Sequence, residues 1–269
     1  MNVIEQVSIK LRHSPALSEA GWLWDLVRPV YDRSIAFMGR KGLERNINGT
    51  DRMLLQPKFR SLTEVWEPET WALLRSEVRP GDSVADIGCY IGMYAIALAR
   101  YVGPSGRVYA FEPNGKNCNE TRSHLKLNQV DERVELVRAA VGDRDGNVFF
   151  NGSAGIQGHI SLTADDESSL VPCMRLDTFL AGRSLDVLKI DVEGYEEFVL
   201  HGASALLSSS ERKPRAIFIE VHPYAWPELG CTSDSLMALL GQYDYRIVDL
   251  NGLPVRTIDR YGEIVAYRN

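Results

Sequence analysis

The chain has 269 residues, of which 25% are charged and 45% are hydrophobic, and this composition is typical of a globular protein. It excludes a chain that is wholly disordered, collagen-like or coiled-coil. The 36 acidic residues outnumber the 30 Lys and Arg residues, and the resulting net charge of -6 argues against a protein that works by binding nucleic-acid phosphates.

The start of the chain and its cysteines indicate the compartment. Cys89, Cys118, Cys173 and Cys231 are widely spaced and include no Cys-x-x-Cys pair, so we expect no structural zinc and no disulfide framework. The first residues lack the basic and apolar regions of a signal peptide, and no apolar run is long enough to span a bilayer. These features predict a cytoplasmic protein without a membrane partner.

Residues 1–64 differ in composition from the rest, and we predict that they form a helical extension outside a main domain at 65–269. Trp24, Val27 and Tyr31 recur at the spacing of one helix face. This face is expected to pack on the main domain, to form an arm against a second subunit in a homodimer, or to close over an active site as a lid. The sequence leaves these roles open.

From Pro68 onwards, short apolar strands alternate with longer helical segments, a pattern that predicts an α/β fold with a mostly parallel sheet and helices on both faces. The last two strands lie too close together for a helix between them, which predicts an antiparallel hairpin. Two added strands interrupt the alternation. The predicted strands of the main sheet are 83–87, 107–111, 134–137, 186–191, 216–221, 245–249 and 263–267, and the added strands are 147–150 and 159–162.

A glycine turn follows the first of these strands. Gly88 and Gly92 permit a tight turn into a helix whose free N–H groups favour a nucleotide-type cofactor. Their G-x-x-x-G spacing is not the dinucleotide fingerprint, and Asp86 would repel a pyrophosphate but suits a cationic ligand. A plain strand-to-helix turn explains the same residues.

Glu112 follows the second strand, 24 residues after Gly88. A carboxylate at this place can accept hydrogen bonds from both hydroxyls of a ribose. The alternative is a favourable charge at a helix N-terminus. Together with the glycine turn, Glu112 predicts a ribose-binding site.

Acidic residues and a histidine follow the fourth and fifth strands. Asp191 and Glu193 end one strand, and Glu220 and His222 end the next. Residues two apart in extended backbone point to the same side, so these four groups converge if the strands are neighbours.

The motifs together resemble the FkbM family of S-adenosylmethionine-dependent methyltransferases. The resemblance covers roughly residues 65–225 and implies a Rossmann-like class I methyltransferase fold, a seven-stranded mostly parallel sheet with an antiparallel terminal strand. The motifs that carry it are Asp86–Gly92, Phe111–Asn114, Ala139–Asp143, Leu188–Glu196 and Glu220–Pro223.

The resemblance also implies cofactor contacts. The glycine turn would hold the methionine part, Glu112 the ribose, and Asn114 with the Ala140–Val141 backbone the adenine, while Asp191 would stand near the ammonium group. The full set is Asp86, Gly88, Cys89, Tyr90, Gly92, Glu112, Pro113, Asn114, Ala140, Val141 and Asp191.

The expected reaction is O-methylation of a small-molecule hydroxyl in the biosynthesis of a sugar or of a polyketide or peptide-type natural product. An alcohol needs a base, and His222 is suited because an ordinary histidine is partly neutral at pH 7. We expect Asp191 or Glu220 to orient it. The predicted substrate contacts are His159, which is also the second choice of base, Glu193 and Trp226.

Several alternatives remain at this point. Asp191, Glu193, Glu220 and His222 would suit Mg²⁺ or Mn²⁺, which would activate the hydroxyl directly. An NAD-dependent oxidoreductase on a similar sheet and a non-catalytic nucleoside-binding protein are the other classes. A nucleic-acid methyltransferase is disfavoured by the negative charge and by the lack of an N/D-P-P-Y motif after the fourth strand.

Overall fold

The computed structural model describes residue 29 and residues 41–152, 158–161 and 168–269. The helical stripe of Trp24, Val27 and Tyr31 lies outside these residues, so its roles remain predictions.

The described part of the N-terminal segment begins with a β-hairpin. Strand β1 (Leu43–Ile47) pairs antiparallel with β2 (Asp51–Leu55), and a 3₁₀ turn at Pro57–Phe59 follows. The prediction of a helical extension is therefore wrong for residues 41–64. The reason is the Asn48-Gly49 turn, where both residues have positive φ, because Asn-Gly is a strong hairpin signal.

A seven-stranded sheet forms the centre of the fold. Its order is β12-β13-β11-β10-β3-β4-β5, and only β13 runs antiparallel to the others. The predicted mostly parallel sheet and the closing antiparallel pair are confirmed, and the last strand lies between β12 and β11. The strands are β3 (Ser83–Ile87), β4 (Arg107–Phe111), β5 (Val134–Val137), β10 (Val187–Ile190), β11 (Ala216–Val221), β12 (Tyr245–Val248) and β13 (Gly262–Arg268).

Helices cover both faces of this sheet. Successive strand residues point to opposite faces, so Val84 and Ala85 of β3 belong to two different apolar clusters. Ile47 of the hairpin packs into the same cluster as Val84, so the hairpin is part of that side of the core. No described helix has the length and apolar character needed to cross a membrane. The helices are α1 (Pro68–Glu77), α2 (Met93–Tyr101), α3 (Gly115–Leu127), α4 (Leu176–Leu180), α5 (Glu196–Gly202), α6 (Ser204–Leu207), α7 (Trp226–Leu229) and α8 (Ser233–Gln242).

A second, four-stranded sheet lies beside the first, in the order β6-β9-β7-β8. Its strands β7 and β8 confirm the two added strands. Strand β9 was not predicted from the sequence. Pro172 lies within it, and proline is unusual in a strand interior. The strands are β6 (Ala140–Val141), β7 (Gly146–Asn151), β8 (His159–Ser161) and β9 (Ser168–Met174).

Candidate functional site

A cavity of about 550 Å³ opens at the carboxyl ends of the parallel strands. This volume falls in the range of about 300–1,000 Å³ that is usual for small-molecule sites, and the position is where open α/β sheets bind ligands. Most of the predicted site residues line it: Gly88, Tyr90, Glu112, Pro113, Asn114, Ala140, Val141, Asp191, Glu193, Glu220 and His222.

The glycine turn makes room for the floor of the cavity. Gly88 has φ +85°, and a Cβ built on it would lie 1.7 Å from the carbonyl oxygen of Asp191 on the neighbouring strand. Only glycine therefore lets the ends of β3 and β10 approach so closely. Tyr90, with φ 49°, continues the turn and lines the cavity.

Glu112 is held rigidly at the end of β4. Its Oε1 accepts hydrogen bonds from the Asn114 backbone N–H at 2.8 Å and from Asn117 Nδ2 at 3.4 Å. Burial raises the pKa of Glu112 to about 7. The Asn114 side chain also caps α3 by accepting from two backbone N–H groups, so these residues hold the strand-to-helix turn as well as the cavity wall.

Three predicted cofactor contacts do not reach the cavity. Asp86 is fully buried beside Lys189 on the neighbouring strand, neither of its oxygens accepts a hydrogen bond from the described residues, and burial raises its pKa to about 6. Cys89 packs in the apolar core, and Gly92 lies at the start of α2 against Thr121. None of these three residues lines the cavity, because each faces the interior behind the turn, so their direct contacts with the cofactor stay predictions.

His222 is buried, and both ring nitrogens have defined surroundings. Nδ1 lies 2.8 Å from Glu196 Oε1, while Nε2 lies 3.5 Å from Glu193 Oε2 and 3.9 Å from Glu220 Oε1. Burial alone would lower the pKa of His222, but the hydrogen bond to Glu196 and the surrounding carboxylates raise it above its ordinary value.

Glu196 was not predicted as a site residue, yet it orients His222. It is fully buried at the start of α5 and accepts hydrogen bonds from His222 Nδ1, Trp226 Nε1 and the Gly194 backbone N–H, each at 2.8 Å. A carboxylate in the first turn of a helix was the only sequence signal. The prediction that Asp191 or Glu220 orients His222 is wrong.

The two acids proposed for that role have other partners. Asp191 Oδ2 lies 3.3 Å from Lys189 Nζ, and Glu220 accepts a hydrogen bond from the Tyr261 hydroxyl. Burial, with the nearby Asp191 charge, raises the pKa of Glu220 to about 8. The Tyr261 hydroxyl reaches the cavity from the loop before β13, a contact that no spacing in the sequence indicates.

Two predicted substrate contacts also lie elsewhere. Trp226 is only 3% exposed and packs in the core, with its indole N–H bound to Glu196. His159 is exposed and does not line the cavity, whereas its neighbours Gly158 and Ile160 do. Alternation along β8 accounts for this difference, because adjacent residues of a strand face opposite ways.

Three of the seven described non-glycine residues with positive φ line the cavity. Glu67, Tyr90 and Glu193 line it, and all three have positive φ although none is glycine. Such conformations cost of order 1–3 kcal/mol each and cluster at functional sites. Glu67 accepts from the Tyr94 hydroxyl at 2.8 Å, and Glu193 accepts from the Tyr224 hydroxyl at 2.6 Å.

A comparison with known protein families adds the deciding observation. The family described as "Methyltransferase FkbM domain" matches residues 86–247, more than half of the chain. The chain belongs to the FkbM methyltransferase family. The resemblance of its motifs is thus confirmed, as are the class I methyltransferase fold and S-adenosylmethionine as the methyl donor.

Three similar proteins each share less than 30% identity with this FkbM-family chain. It is 28% identical over 90 residues to a probable cobalt-precorrin-6B C(15)-methyltransferase of Saccharolobus solfataricus, covering 31% of this chain and 45% of that relative, so it spans about half of the relative's length. A crystal structure of methyltransferase FkbM from Methylobacillus flagellatus is 18% identical, with a TM-score of 0.47 over 70% of this chain and 43% of that one. A putative rRNA-methylase structure from Clostridium thermocellum is 14% identical, with a TM-score of 0.49 over 74% and 93%.

Three residues of the cavity have the arrangement of a metal-binding group. One ligand atom each from Asp191, Glu193 and His222 lies within 4.8 Å of the others. Glu220, the fourth predicted ligand, does not belong to this group among the described residues. Two carboxylates and one imidazole suit Mn²⁺ or Mg²⁺ better than a structural zinc.

Proposed function

We propose that this chain transfers the methyl group of S-adenosylmethionine to a hydroxyl oxygen of a small molecule, with His222 as the general base. The proposal depends on one observation: Glu196 holds Nδ1 of His222 at 2.8 Å, which leaves Nε2 turned towards the cavity. A sugar or a polyketide or peptide-type natural product, methylated during cytoplasmic biosynthesis, is the acceptor that the family resemblance suggests.

The hydrogen bond to Glu196 selects the useful tautomer of His222. An ionised carboxylate only accepts hydrogen bonds, so the proton of the neutral ring is on Nδ1 and the lone pair is on Nε2. When Nε2 takes a proton, the positive ring lies beside the carboxylates of Glu196, Glu193 and Glu220. This arrangement supports a base that gains charge during the reaction.

The chain's residues fit the methyl donor. Glu112 offers a rigid buried carboxylate to the ribose hydroxyls, and the apolar walls Phe111 and Val141 suit the adenine. When bound, S-adenosylmethionine supplies a methyl group whose bond to sulfur breaks as its bond to the acceptor oxygen forms. His222 accepts the hydroxyl proton at Nε2, because an alcohol ionises too weakly to react unaided at pH 7.

The test compares two histidines. Removing a general base typically lowers a rate about 10²–10⁴-fold, and we expect this loss in kcat for His222→Asn with little change in the affinity for S-adenosylhomocysteine. His201→Asn is the matched control, because His201 is exposed on α5 away from the cavity. Turnover is followed as S-adenosylhomocysteine release with a panel of sugar and natural-product alcohols. Equal loss in both variants, or a product whose new methyl group is on carbon by NMR, would overturn the proposal.

A metal-assisted arrangement is the second candidate, favoured by the grouping of Asp191, Glu193 and His222 within 4.8 Å. A divalent ion there would lower the pKa of the acceptor hydroxyl, and His222 would be a ligand instead of the base. Turnover lost in chelator and restored by Mg²⁺ or Mn²⁺ would support this arrangement. Undiminished turnover in chelator would support the base.

A further inference from the structure

The proton-accepting atom of His222 stands between two carboxylates. Its Nε2 lies 3.5 Å from Glu193 Oε2 and 3.9 Å from Glu220 Oε1. A hydroxyl that gives its proton to Nε2 must come within about 2.6–3.2 Å of it. The carbon atoms that carry this hydroxyl are therefore next to both carboxylates, and we call this region, with Tyr224 and Tyr261, the acceptor end of the cavity.

The acceptor end offers hydrogen-bond acceptors and few donors. The hydroxyls of Tyr224 and Tyr261 are already donated to Glu193 and Glu220. No described residue donates to the second oxygen of either carboxylate. A ligand that fills this end must therefore bring donors of its own.

The charge of the residues that line the cavity also favours a ligand that brings hydrogen-bond donors. Five carboxylic acids line the cavity, whereas none of the described lining residues is Lys or Arg. Lys189, the nearest buried cation, is paired with Asp191 and does not line the cavity. In the proposed arrangement Glu112 binds the ribose and Asp191 the cofactor ammonium, so a phosphate or carboxylate on the acceptor would meet the remaining acids without a cationic partner. The lining acids are Glu67, Glu112, Asp191, Glu193 and Glu220.

The acceptor end opens to solvent, and the rim of this mouth is apolar. Val65, Tyr224 and Tyr261 are 64%, 64% and 56% exposed, and they are among the few large hydrophobic side chains that the described residues expose. All three line the mouth, and the two tyrosine rings stand 5.7 and 5.4 Å from the ring of His222. Exposed apolar groups at the rim of a polar cavity suit the uncharged body of a ligand.

We propose that the methyl acceptor carries a protonated amine close to its hydroxyl group and carries no anionic group. An ammonium has three donors and no acceptor, which complements the free oxygen of Glu193. The inference rests on the proposed function, because His222 as base is what places the hydroxyl beside these acids. It excludes phosphorylated, carboxylated and nucleotide-activated acceptors, so methylation would follow any step that removes such a group.

The experiment compares three probes with the same sugar ring and different charges: glucosamine, glucose and glucuronate. Binding to the protein loaded with S-adenosylhomocysteine is measured by saturation-transfer NMR, below the pKa of the amine and with EDTA present to exclude divalent ions. We expect glucosamine to bind about tenfold more tightly than glucose, glucuronate not to bind, and added salt to weaken the glucosamine affinity.

Single variants locate the effect. Glu193→Gln should reduce the preference for glucosamine over glucose several-fold. Glu228→Gln removes the same charge from an exposed site on α7 and should leave the preference unchanged. Binding of glucuronate as tight as that of glucosamine, equal binding of all three probes, or no binding of any probe overturns the inference while the methyl-transfer proposal stands. Failure of S-adenosylhomocysteine to bind overturns that proposal and this inference together.

Discussion

Replacing Glu196 by Gln should weaken His222 as a base without changing any group that lines the cavity. The two oxygens of Glu196 accept three hydrogen bonds from buried donors, including His222 Nδ1 at 2.8 Å. A glutamine has one oxygen and no charge, so His222 loses the carboxylate that holds its ring and raises its pKa. The expected result is a lower kcat and a pH profile whose acid limb moves to lower pH.

The size of the effect follows from the hydrogen bond. A hydrogen bond to a charged group contributes about 1.5–3 kcal/mol, against about 0.5–1.5 kcal/mol for a neutral one. The loss of about 1–2 kcal/mol from the protonated form of His222 corresponds to a decrease in kcat of about 5- to 30-fold. The sign of the pH change follows because the base acts when neutral, so activity falls as pH drops through the pKa of His222.

The assay is S-adenosylhomocysteine release against pH, with the free energy of unfolding measured in parallel by urea denaturation. Glu197→Gln is the matched control, because Glu197 is next in sequence but its carboxylate contacts Ser235 and His201 instead of His222. It should keep both kcat and the acid limb of wild type.

A second variant changes the profile in the opposite direction. Trp226→Phe removes the indole donor from Glu196 but keeps an aromatic ring in the core. The carboxylate then binds His222 more strongly, so the acid limb should move to higher pH. The reasoning is refuted if both variants lose activity with an unchanged acid limb, since Glu196 and Trp226 would then be purely structural.

Further expectations concern the floor and wall of the cavity. Gly88→Ala should unfold at lower urea concentration and lose binding of S-adenosylhomocysteine, because its Cβ would clash with the Asp191 carbonyl oxygen. A urea midpoint equal to that of wild type would contradict this clash. Glu112→Gln should weaken this binding about tenfold by calorimetry. Since burial raises the pKa of Glu112 to about 7, wild-type affinity should increase with pH through that value, and a flat profile would argue against a ribose contact. Burial also raises the pKa of Asp86 from 3.8 to about 6, so the folded state holds its proton more tightly than the unfolded chain. The free energy of unfolding of wild type should therefore fall relative to Asp86→Asn as pH rises through that interval, and a constant difference would refute this.

Most of the residues that line the cavity could be predicted, because they follow the carboxyl ends of the parallel strands. Parallel strands bring their carboxyl ends to one edge, so Glu112, Asp191 and His222 meet there once the strand order is known. The acidic and glycine residues that follow β3, β4, β10 and β11 could be identified from the sequence alone. The hairpin at Leu43–Leu55 could also have been predicted, because Asn48-Gly49 forms its turn. The helical stripe before it led instead to the prediction of a helical extension.

The sequence by itself determined the sheet, the family and the edge at which chemistry would occur, because short apolar strands and glycine turns are local properties. Only the tertiary structure decided which acidic residue pairs with which neighbour. Glu196 reaches His222 only because α5 and β11 pack together, and Asp86 turns away from the cavity because it sits beside Lys189 in the sheet register. Such pairings depend on how separate elements pack, and a spacing along one segment carries no information about that.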